Sequence, residues 1–279
     1  MHDHKWKAFP HDAAAFNYQG KALQANWSRL HIGDLEKFPS AAALRDRVSH
    51  VKTETSAKTI VIAVQDAWRA YHKGEFRRAS DLGTEIGVPG SVVAIKAAVM
   101  YASYLEPDDQ QSQQLLSAAA ERAEQVIALL PDEPNAHYLL ALALGRFSQR
   151  ISILAALAQG LAPRIENALR QTLKLSSKHA DAHTAMGLFN AEIIGKLGAL
   201  AAGLSYGVSA DKAMEHFRKA LKLNPAQAIV KIEYARALQL IDKDEHAGKI
   251  EELLHQAVEC TPVDAVEWLD RERAGKMLK

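Results

Sequence analysis

The strongest constraint on the fold is a spacing of small and large residues in the segment 209–225. Small residues stand at Ala213 and Ala220, an aromatic residue stands between them at Phe217, and Pro225 follows. Small residues let two paired helices approach closely, and the larger residue fills the space between one pair and the next. The proline cannot continue a helix, because it lacks an amide hydrogen and its ring clashes with the preceding turn. This segment therefore predicts a helix that packs closely on its neighbours and ends before Pro225.

Segments with related patterns occur upstream. Ala182–Gly187 has the composition of the first helix of such a pair, and Ala136–Ala141 shows the same pattern 46 positions earlier. Ala70–Ala79 is typical of the turn between the two helices of a pair. These segments resemble the tetratricopeptide repeat over about residues 57–259. The resemblance implies an all-α fold, a right-handed α-α superhelix that forms a tetratricopeptide-like solenoid.

The repeats are longer than the standard tetratricopeptide repeat of about 34 residues. The excess lies between the first and second helices and is itself repeated, because Leu154–Leu161 matches Leu197–Leu204 in its apolar, alanine- and glycine-rich composition. Such repeats resemble two groups, the regulator-of-microtubule-dynamics family and the tetratricopeptide proteins associated with TRAP transporters. The order of segments from Ile165 to Pro225 is similar to the first of these, and the aromatic-rich start resembles a bacterial branch with the same helical body. The resemblance implies a non-enzymatic binding scaffold.

Helical spacing of apolar residues dominates the chain and strand-like alternation is nearly absent, so the sequence predicts about 13 helices and no sheet. Ser56 and Asp264 are expected to cap two of the helices. Residues 134–158 are expected to form one helix. The expected organisation is an aromatic-rich helical cap over residues 1–55, a repeat array over 56–262 with insertions near 151–162 and 193–208, and a C-terminal capping helix over 263–279.

Composition excludes several classes of protein. The chain has 34 Lys+Arg against 33 Asp+Glu, so it lacks the excess positive charge with which proteins bind nucleic acid. Cys260 is the single cysteine, which excludes a disulfide framework and a cysteine-rich zinc module. The most apolar stretch, Ile193–Val208, is interrupted by Lys196 and four glycines and is too short to span a bilayer. No secretory signal is recognisable, so we expect a cytoplasmic protein with no membrane span and no nucleic-acid partner.

Three short motifs suggest chemistry, and a structural role is favoured for each. His179, Asp181 and His183 have a spacing that could place metal ligands on one helix face, but no glutamate completes an HExxH arrangement. Gly195–Gly198 lacks the hydroxyl residue and the preceding strand of a phosphate-binding loop. Cys260 has no base and orienting group at a catalytic spacing. We therefore expect no catalytic residue, no metal and no cofactor.

The first helices of such an array line its concave face, where partners bind. The expected partner-binding residues are the inward positions Trp68, Tyr71, Tyr138, Leu142, Thr184, Leu188, Ile232, Arg236 and Gln239. They are mostly apolar with one arginine, so a peptide, an apolar helix or an apolar small molecule would suit them. The alternative interpretation is that the insertions or the N-terminal cap bury part of this row.

Two functions from different classes stay open. The first is a non-catalytic scaffold that binds an unknown protein partner, as a peptide or a helix, on the concave face. The alternative is a small apolar ligand-binding accessory protein whose two insertions roof a cavity. An enzyme is disfavoured because no spacing suggests a convergent set of polar groups, and an RNA-binding repeat is disfavoured by the near-zero net charge.

Overall fold

The structure, a computed structural model, describes residues 6–50 and 56–279. Within these ranges it contains α-helices and two short 3-10 turns, and no strand. The fifteen helices are α1 (Ala22–Leu30), α2 (Arg45–Val48), α3 (Ala57–His72), α4 (Phe76–Ile86), α5 (Ser91–Tyr104), α6 (Asp109–Leu129), α7 (Pro134–Ser148), α8 (Ile153–Ala158), α9 (Leu161–Leu175), α10 (Ala180–Leu197), α11 (Ala199–Tyr206), α12 (Ala210–Leu223), α13 (Ala228–Asp242), α14 (Ala247–Val258) and α15 (Ala265–Met277). Across the described ranges, no helix has both the length and the apolar composition that crossing a bilayer requires.

Side-chain caps begin several of the helices. The Ser56 hydroxyl accepts a hydrogen bond from the Thr59 amide at the start of α3. The Asp264 carboxylate accepts one from the Glu267 amide at the start of α15. Both caps predicted from the sequence are confirmed. Each satisfies a backbone N–H group that has no partner in the first turn of a helix.

Each insertion forms a short helix of its own, and this raises the number of helices from the predicted 13 to fifteen. The prediction of one helix over residues 134–158 is wrong. Helix α7 ends at Ser148, and the Ser152 hydroxyl starts α8 by accepting a hydrogen bond from the Ala155 amide. Helix α11 ends at Tyr206 and is followed by Gly207, whose φ of 63° lies in the left-handed region that favours glycine.

The chain forms two compact units. The first contains the described part of Met1–Arg29 together with Glu36–Gln171, and the second contains Leu30–Leu35 and Thr172–Lys279. Within the second unit, the Asp181 amide donates a hydrogen bond to the Gly33 carbonyl at 3.1 Å. This bond attaches the short segment Leu30–Leu35 to the beginning of α10.

In the first unit, each helix from α3 to α7 packs on the next one along the chain. In addition, α3 contacts α5 and α5 contacts α7.

The names used below follow the helix pairs predicted from the sequence. We call α3, α5, α7, α10 and α13 the first helices and α4, α6, α9, α12 and α14 the second helices. Trp68, Tyr71, Tyr101 and Leu116 are among the fully buried side chains of the first unit. The first helices of the unit therefore form a layer in which each contacts its neighbour.

In the second unit, α10 packs on both α12 and α13, and α15 packs on α13 and α14. Ala213, Phe217 and Ala220 of α12 are fully buried, which confirms the packing role predicted for them. The Phe217 ring stacks on the Tyr234 ring of α13, with ring centroids 4.7 Å apart. A Cβ atom added at Gly187 of α10 would lie 2.7 Å from two carbons of the Phe217 ring. Helices α10 and α12 thus approach each other so closely that only glycine fits at position 187.

A buried ionic cluster fixes the chain that follows α1 in the first unit. Arg47 donates to Glu36 at 2.8 Å and to Glu133 at 2.6 Å, and the Asn135 amide donates to the second oxygen of Glu36 at 2.6 Å. Burial by itself would lower the pKa of Arg47, but the attraction of the two carboxylates raises it above its ordinary value. Because Arg47 bonds to both carboxylates and Asn135 bonds to Glu36, every charged group of the cluster has a hydrogen-bond partner where the chain after α1 meets the start of α7.

Gly187→Ala is expected to destabilise the protein, because the added methyl group must displace a phenylalanine ring that Tyr234 holds in place. Overpacking of this kind costs about 1–3 kcal/mol, and each kcal/mol lowers the Tm by about 2–4 °C in a chain of this size. Circular dichroism during heating measures the change.

Gly145→Ala on α7 is the matched control, since no atom lies within 4 Å of the added Cβ. Alanine favours a helix over glycine by about 0.5–1 kcal/mol, so this variant should keep or raise the Tm. A Tm for Gly187→Ala at or above that of Gly145→Ala would show that the two helices are not in close contact at this point.

Candidate functional site

The first of the predicted partner-binding residues lie on α3 and are buried. Trp68 and Tyr71 are only 1% and 2% exposed. Trp27 of α1 packs perpendicular to Trp68 with ring centroids 5.6 Å apart, and Tyr71 lies edge-on to Phe76 at 5.8 Å. Both predicted residues therefore belong to the packing between α1, α3 and α4 and offer no surface to a partner while α1 is in place.

Part of the chain itself lies on the first helices of this unit. We call residues Trp6–Gly20 the N-terminal segment. The Trp6 ring stacks on Tyr101 of α5, with centroids 4.1 Å apart and planes inclined by 13°. Arg69 of α3 donates from Nε to the Tyr18 carbonyl at 3.1 Å and from its second terminal nitrogen to the Gly20 carbonyl at 3.4 Å. The N-terminal segment thus contacts two neighbouring first helices, one near each of its ends.

Tyr101 is held rigidly where it meets this segment. Its hydroxyl donates to Glu106 Oε2 at 2.9 Å and accepts a hydrogen bond from the Lys7 amide at 3.1 Å. Burial raises the pKa of the Tyr101 hydroxyl above its ordinary value; the Lys7 hydrogen bond opposes this shift, and the Glu106 carboxylate adds to it. The hydroxyl therefore stays protonated and keeps both hydrogen bonds. Tyr101 was not predicted from the sequence, although an aromatic residue in the last turn of a first helix is a signal that could have found it.

Four other predicted residues are also buried. Tyr138 of α7, Leu188 of α10 and Ile232 of α13 lie in the cores of their units. Thr184 is buried as well, and its hydroxyl donates to the Ala180 carbonyl of its own helix at 3.0 Å. The prediction treated inward positions as open, but α5, α10 and α13 pack both on other first helices and on second helices. These contacts cover most inward positions.

Three of the nine predicted residues keep some exposed surface. Leu142 lies on α7 in the first unit, and Arg236 and Gln239 lie on α13 in the second. Arg236 donates to Glu192 Oε1 of α10 at 2.8 Å, and its other terminal nitrogen lies 3.5 Å from Glu233 Oε2. The sequence reasoning missed both glutamates; the i, i+3 spacing of Glu233 and Arg236 is a local signal, whereas Glu192 is on another helix. Because two carboxylates already neutralise Arg236, it is poorly suited to select a free carboxylate of a partner.

The histidine motif at the start of α10 is not assembled into a metal site. The Nδ1 atom of His179 accepts a hydrogen bond from the Ala182 amide at 3.1 Å and thereby caps the helix. His183 contacts a different histidine, described below. Within residues 6–50 and 56–279, no three His, Cys, Asp or Glu side chains come together as metal ligands.

His183 forms a hydrogen-bonded pair with His216 of α12. Its Nε2 lies 3.1 Å from the Ser177 carbonyl and must donate, so in the neutral ring Nδ1 accepts from His216 Nδ1 at 2.9 Å. Burial lowers the pKa of His183, with a smaller contribution from Lys219, while the Ser177 hydrogen bond and Glu215 oppose the shift. A second proton on His183 would set two N–H groups against each other. The pair therefore favours a neutral His183.

The two insertion helices leave leucines in solvent, each on its own unit. On α8 in the first unit, Leu154 is 79% exposed and Leu157 is 49% exposed. On α11 in the second unit, Leu200 and Leu204 are 80% and 82% exposed. The matching sequences of the insertions thus give two short helices with exposed apolar side chains.

Comparisons with known proteins agree on the fold. A sequence model of the family described as regulator of microtubule dynamics protein 1-3 matches residues 92–279. A comparison with curated proteins finds no match. Among solved structures, TTC0263, a thermophilic tetratricopeptide protein of Thermus thermophilus, is 14% identical with a TM-score of 0.56, and the match covers 78% of this chain and 99% of that chain.

Two further structures are similar at a lower TM-score. The MamA protein is 16% identical with a TM-score of 0.38, covering 72% of this chain and 93% of that chain. The structure described as MamA MSR-1 C2 is 15% identical with a TM-score of 0.40, covering 77% and 98%. The likeness to the Thermus protein shows a tetratricopeptide-like all-α fold, so the fold class predicted from the sequence is confirmed.

The His183–His216 pair predicts a pH dependence of stability. Because the pKa of His183 is lowered on folding, its contribution to stability is complete above the ordinary histidine pKa of about 6.5 and is lost as the pH falls below it. Between pH 7.5 and pH 5.5, the Tm of the wild type should fall further than that of His183→Phe, by about 2–4 °C for each kcal/mol.

His255→Gln is the control for this titration, since His255 is an exposed histidine of the same unit. Its Tm should follow the wild type across the same pH range. Equal losses of Tm in the wild type and in His183→Phe would contradict the account of the pair.

Proposed function

This chain belongs to the regulator of microtubule dynamics protein 1-3 family. We propose that it is a non-catalytic scaffold that binds a peptide or helix of a partner protein on the faces that its first helices form within each unit. One observation carries the proposal: the N-terminal segment lies on α3 and α5, and Arg69 holds it through main-chain carbonyls. A surface that holds one polypeptide segment through backbone groups has the chemistry to hold another.

The polar groups near the first helices support a binding role over catalysis. Arg236 pairs with two glutamates, His183 pairs with His216, and the Tyr101 hydroxyl is engaged on both sides. Each of these groups is used to hold a neighbour. We therefore assign them no role toward a substrate, a metal or a cofactor.

The contact positions proposed on this face are the three that retain exposed surface. Leu142 would supply an apolar contact in the first unit, and Gln239 and Arg236 would supply polar contacts in the second. The six buried positions would shape the face from beneath. An apolar side chain of the partner would suit the contact in the first unit, and hydrogen-bonding groups would suit the contacts in the second.

The same proposal keeps the expected organisation of the chain. Residues 1–55 would act as an N-terminal cap, 56–262 as the repeat array and 263–279 as the terminal capping helix. In support, Leu269 and Ala274 of α15 are buried where that helix packs on α13 and α14, while several of its charged residues keep exposed surface.

The alternative function, binding of an apolar small molecule under a roof made by the insertions, has less support. Leu154 and Leu200 are about four-fifths exposed, so the insertions would have to move before they could enclose anything. Native mass spectrometry of the freshly purified chain separates the two functions. A co-purifying small molecule would favour the alternative, and a ligand-free chain would favour the scaffold.

A photo-reactive amino acid placed at single positions of the full chain tests the scaffold in an extract of the source cells. Placed at Leu142 or Gln239, it should crosslink a partner protein. Placed at Asp81, an exposed residue of the second helix α4, it should not. The same partner captured equally well from Asp81 would contradict a site on the first helices.

Leu142→Glu tests the apolar contact independently. Burying a charge against an apolar partner is unfavourable, so capture through a reagent at Arg146, one turn further along α7 in the same unit, should fall by about tenfold or more. Asp81→Asn serves as the control and should leave capture unchanged. Undiminished capture by the Leu142→Glu variant would remove this residue from the proposed site.

A further inference from the structure

One end of the N-terminal segment meets a preformed aromatic surface on α5. Tyr101 is fully buried, and its hydroxyl is fixed by Glu106 at 2.9 Å. The segment contacts both the ring and the hydroxyl of Tyr101. The Trp6 ring stacks on the Tyr101 ring with centroids 4.1 Å apart, and the Lys7 amide donates a hydrogen bond to the Tyr101 hydroxyl at 3.1 Å. This end therefore recognises an aromatic side chain followed by a free backbone N–H.

The other end is held by groups that read the backbone. Arg69 donates to the carbonyls of Tyr18 and Gly20, while Asp66 fixes the guanidinium with an ion pair of 2.6 Å. The Tyr18 ring adds an edge-on contact with the ring of His72 at 6.2 Å. Carbonyls are present in every peptide, so Arg69 can hold segments of many sequences, and the aromatic end provides the selectivity.

Between its ends the segment has one buried side chain. Phe16, in the short 3-10 turn Ala14–Phe16, is 3% exposed, and the other side chains are exposed or partly exposed. Phe9 makes its ring contact with His11 in the same segment, at 5.3 Å. The segment is therefore anchored near both ends and at Phe16, and separate anchors can be released stepwise.

We infer that α3 and α5 form a site for a peptide segment that carries an aromatic residue, and that the N-terminal segment occupies this site in cis, so that a partner binds by competing with it. The inference rests on the proposed function of the first helices as the partner-binding face. It adds the chemical class of the partner, which is a peptide whose aromatic side chain stacks on Tyr101. It also adds a form of regulation.

Competition in cis follows from the tether. A segment linked to its own site is present there at an effective concentration of the order of millimolar. A partner peptide with the same anchor is then excluded until the cis contacts weaken. The intact chain is expected to bind such a peptide weakly, and loss of the Trp6 stacking contact is expected to open the site.

A fluorescent peptide with the sequence of residues 6–20 is the probe, and its binding to the full-length chain is measured by anisotropy. The Trp6→Ala chain should bind this peptide about tenfold more tightly than the wild type does, because its own segment has lost the stacking contact and the probe has not. Phe9→Ala is the matched control, since it removes a partly exposed aromatic residue of the same segment that contacts His11. Its affinity should stay within about twofold of the wild type.

Two changes check that the probe binds at the assigned site. A probe whose own tryptophan is replaced by alanine should lose the gain seen with the Trp6→Ala chain. Tyr101→Phe in the Trp6→Ala chain removes the acceptor for the backbone amide while keeping the ring, and should weaken binding of the original probe by about threefold to tenfold. Circular dichroism confirms that each variant has the helical content and Tm of the wild type before it is compared.

Equal affinity of the wild-type and Trp6→Ala chains for the probe would overturn the inference, and so would the absence of binding to every variant. Neither result would affect the scaffold if crosslinking from Leu142 still captures a partner. Conversely, tight binding of the probe to the Trp6→Ala chain together with no crosslinked partner would support the site on α3 and α5 and count against the broader proposed function.

Discussion

Close approach between paired helices is the constraint on which the rest of this structure depends. At Gly187 the backbone of α10 lies so near the Phe217 ring that a Cβ would come within 2.7 Å of it. The same ring stacks on Tyr234 of α13. One aromatic side chain therefore sets the positions of three helices, and the small residues Ala213 and Ala220 allow it to do so because they add no bulk to the same face of α12.

This crowding decides how much of the chain is left for binding. Within their units, α5, α10 and α13 each pack on their second helix and on a neighbouring first helix, so inward positions such as Ile232 become part of the core. Leu142 and Gln239 remain at the surface. In the first unit, the N-terminal segment covers part of the first helices, because its Trp6 ring stacks on Tyr101 of α5. Arg236 forms ion pairs with Glu192 and Glu233 of its own unit. This pairing agrees with the near-zero net charge of the sequence.

The sequence was sufficient to predict the elements that depend on local spacing. The packing role of Phe217 and the cap at Asp264 could both be predicted, because each depends on residues within one helix or its first turn. The break before α8 was not predicted, because the apolar pattern of α7 continues past it. The hydrogen bond by which Ser152 caps α8 marks the start of the new helix. The burial of Ile232 and the pairing of Glu192 with an arginine depend on neighbouring helices, and a helical period carries no information about which inward positions a neighbour covers.

Amide hydrogen exchange of the full chain most directly tests the central claim that the first helices are the packed interior of each unit and the insertion helices stand outside it. Exchange slows with burial and with the number of packed neighbours. The account predicts the slowest exchange in α5 and α10, whose residues are mostly buried, and exchange faster by at least about tenfold in α8 and α11. Exchange in α8 and α11 as slow as in α10 would contradict it, because the exposed leucines of the insertions would then be packed against something in the native chain.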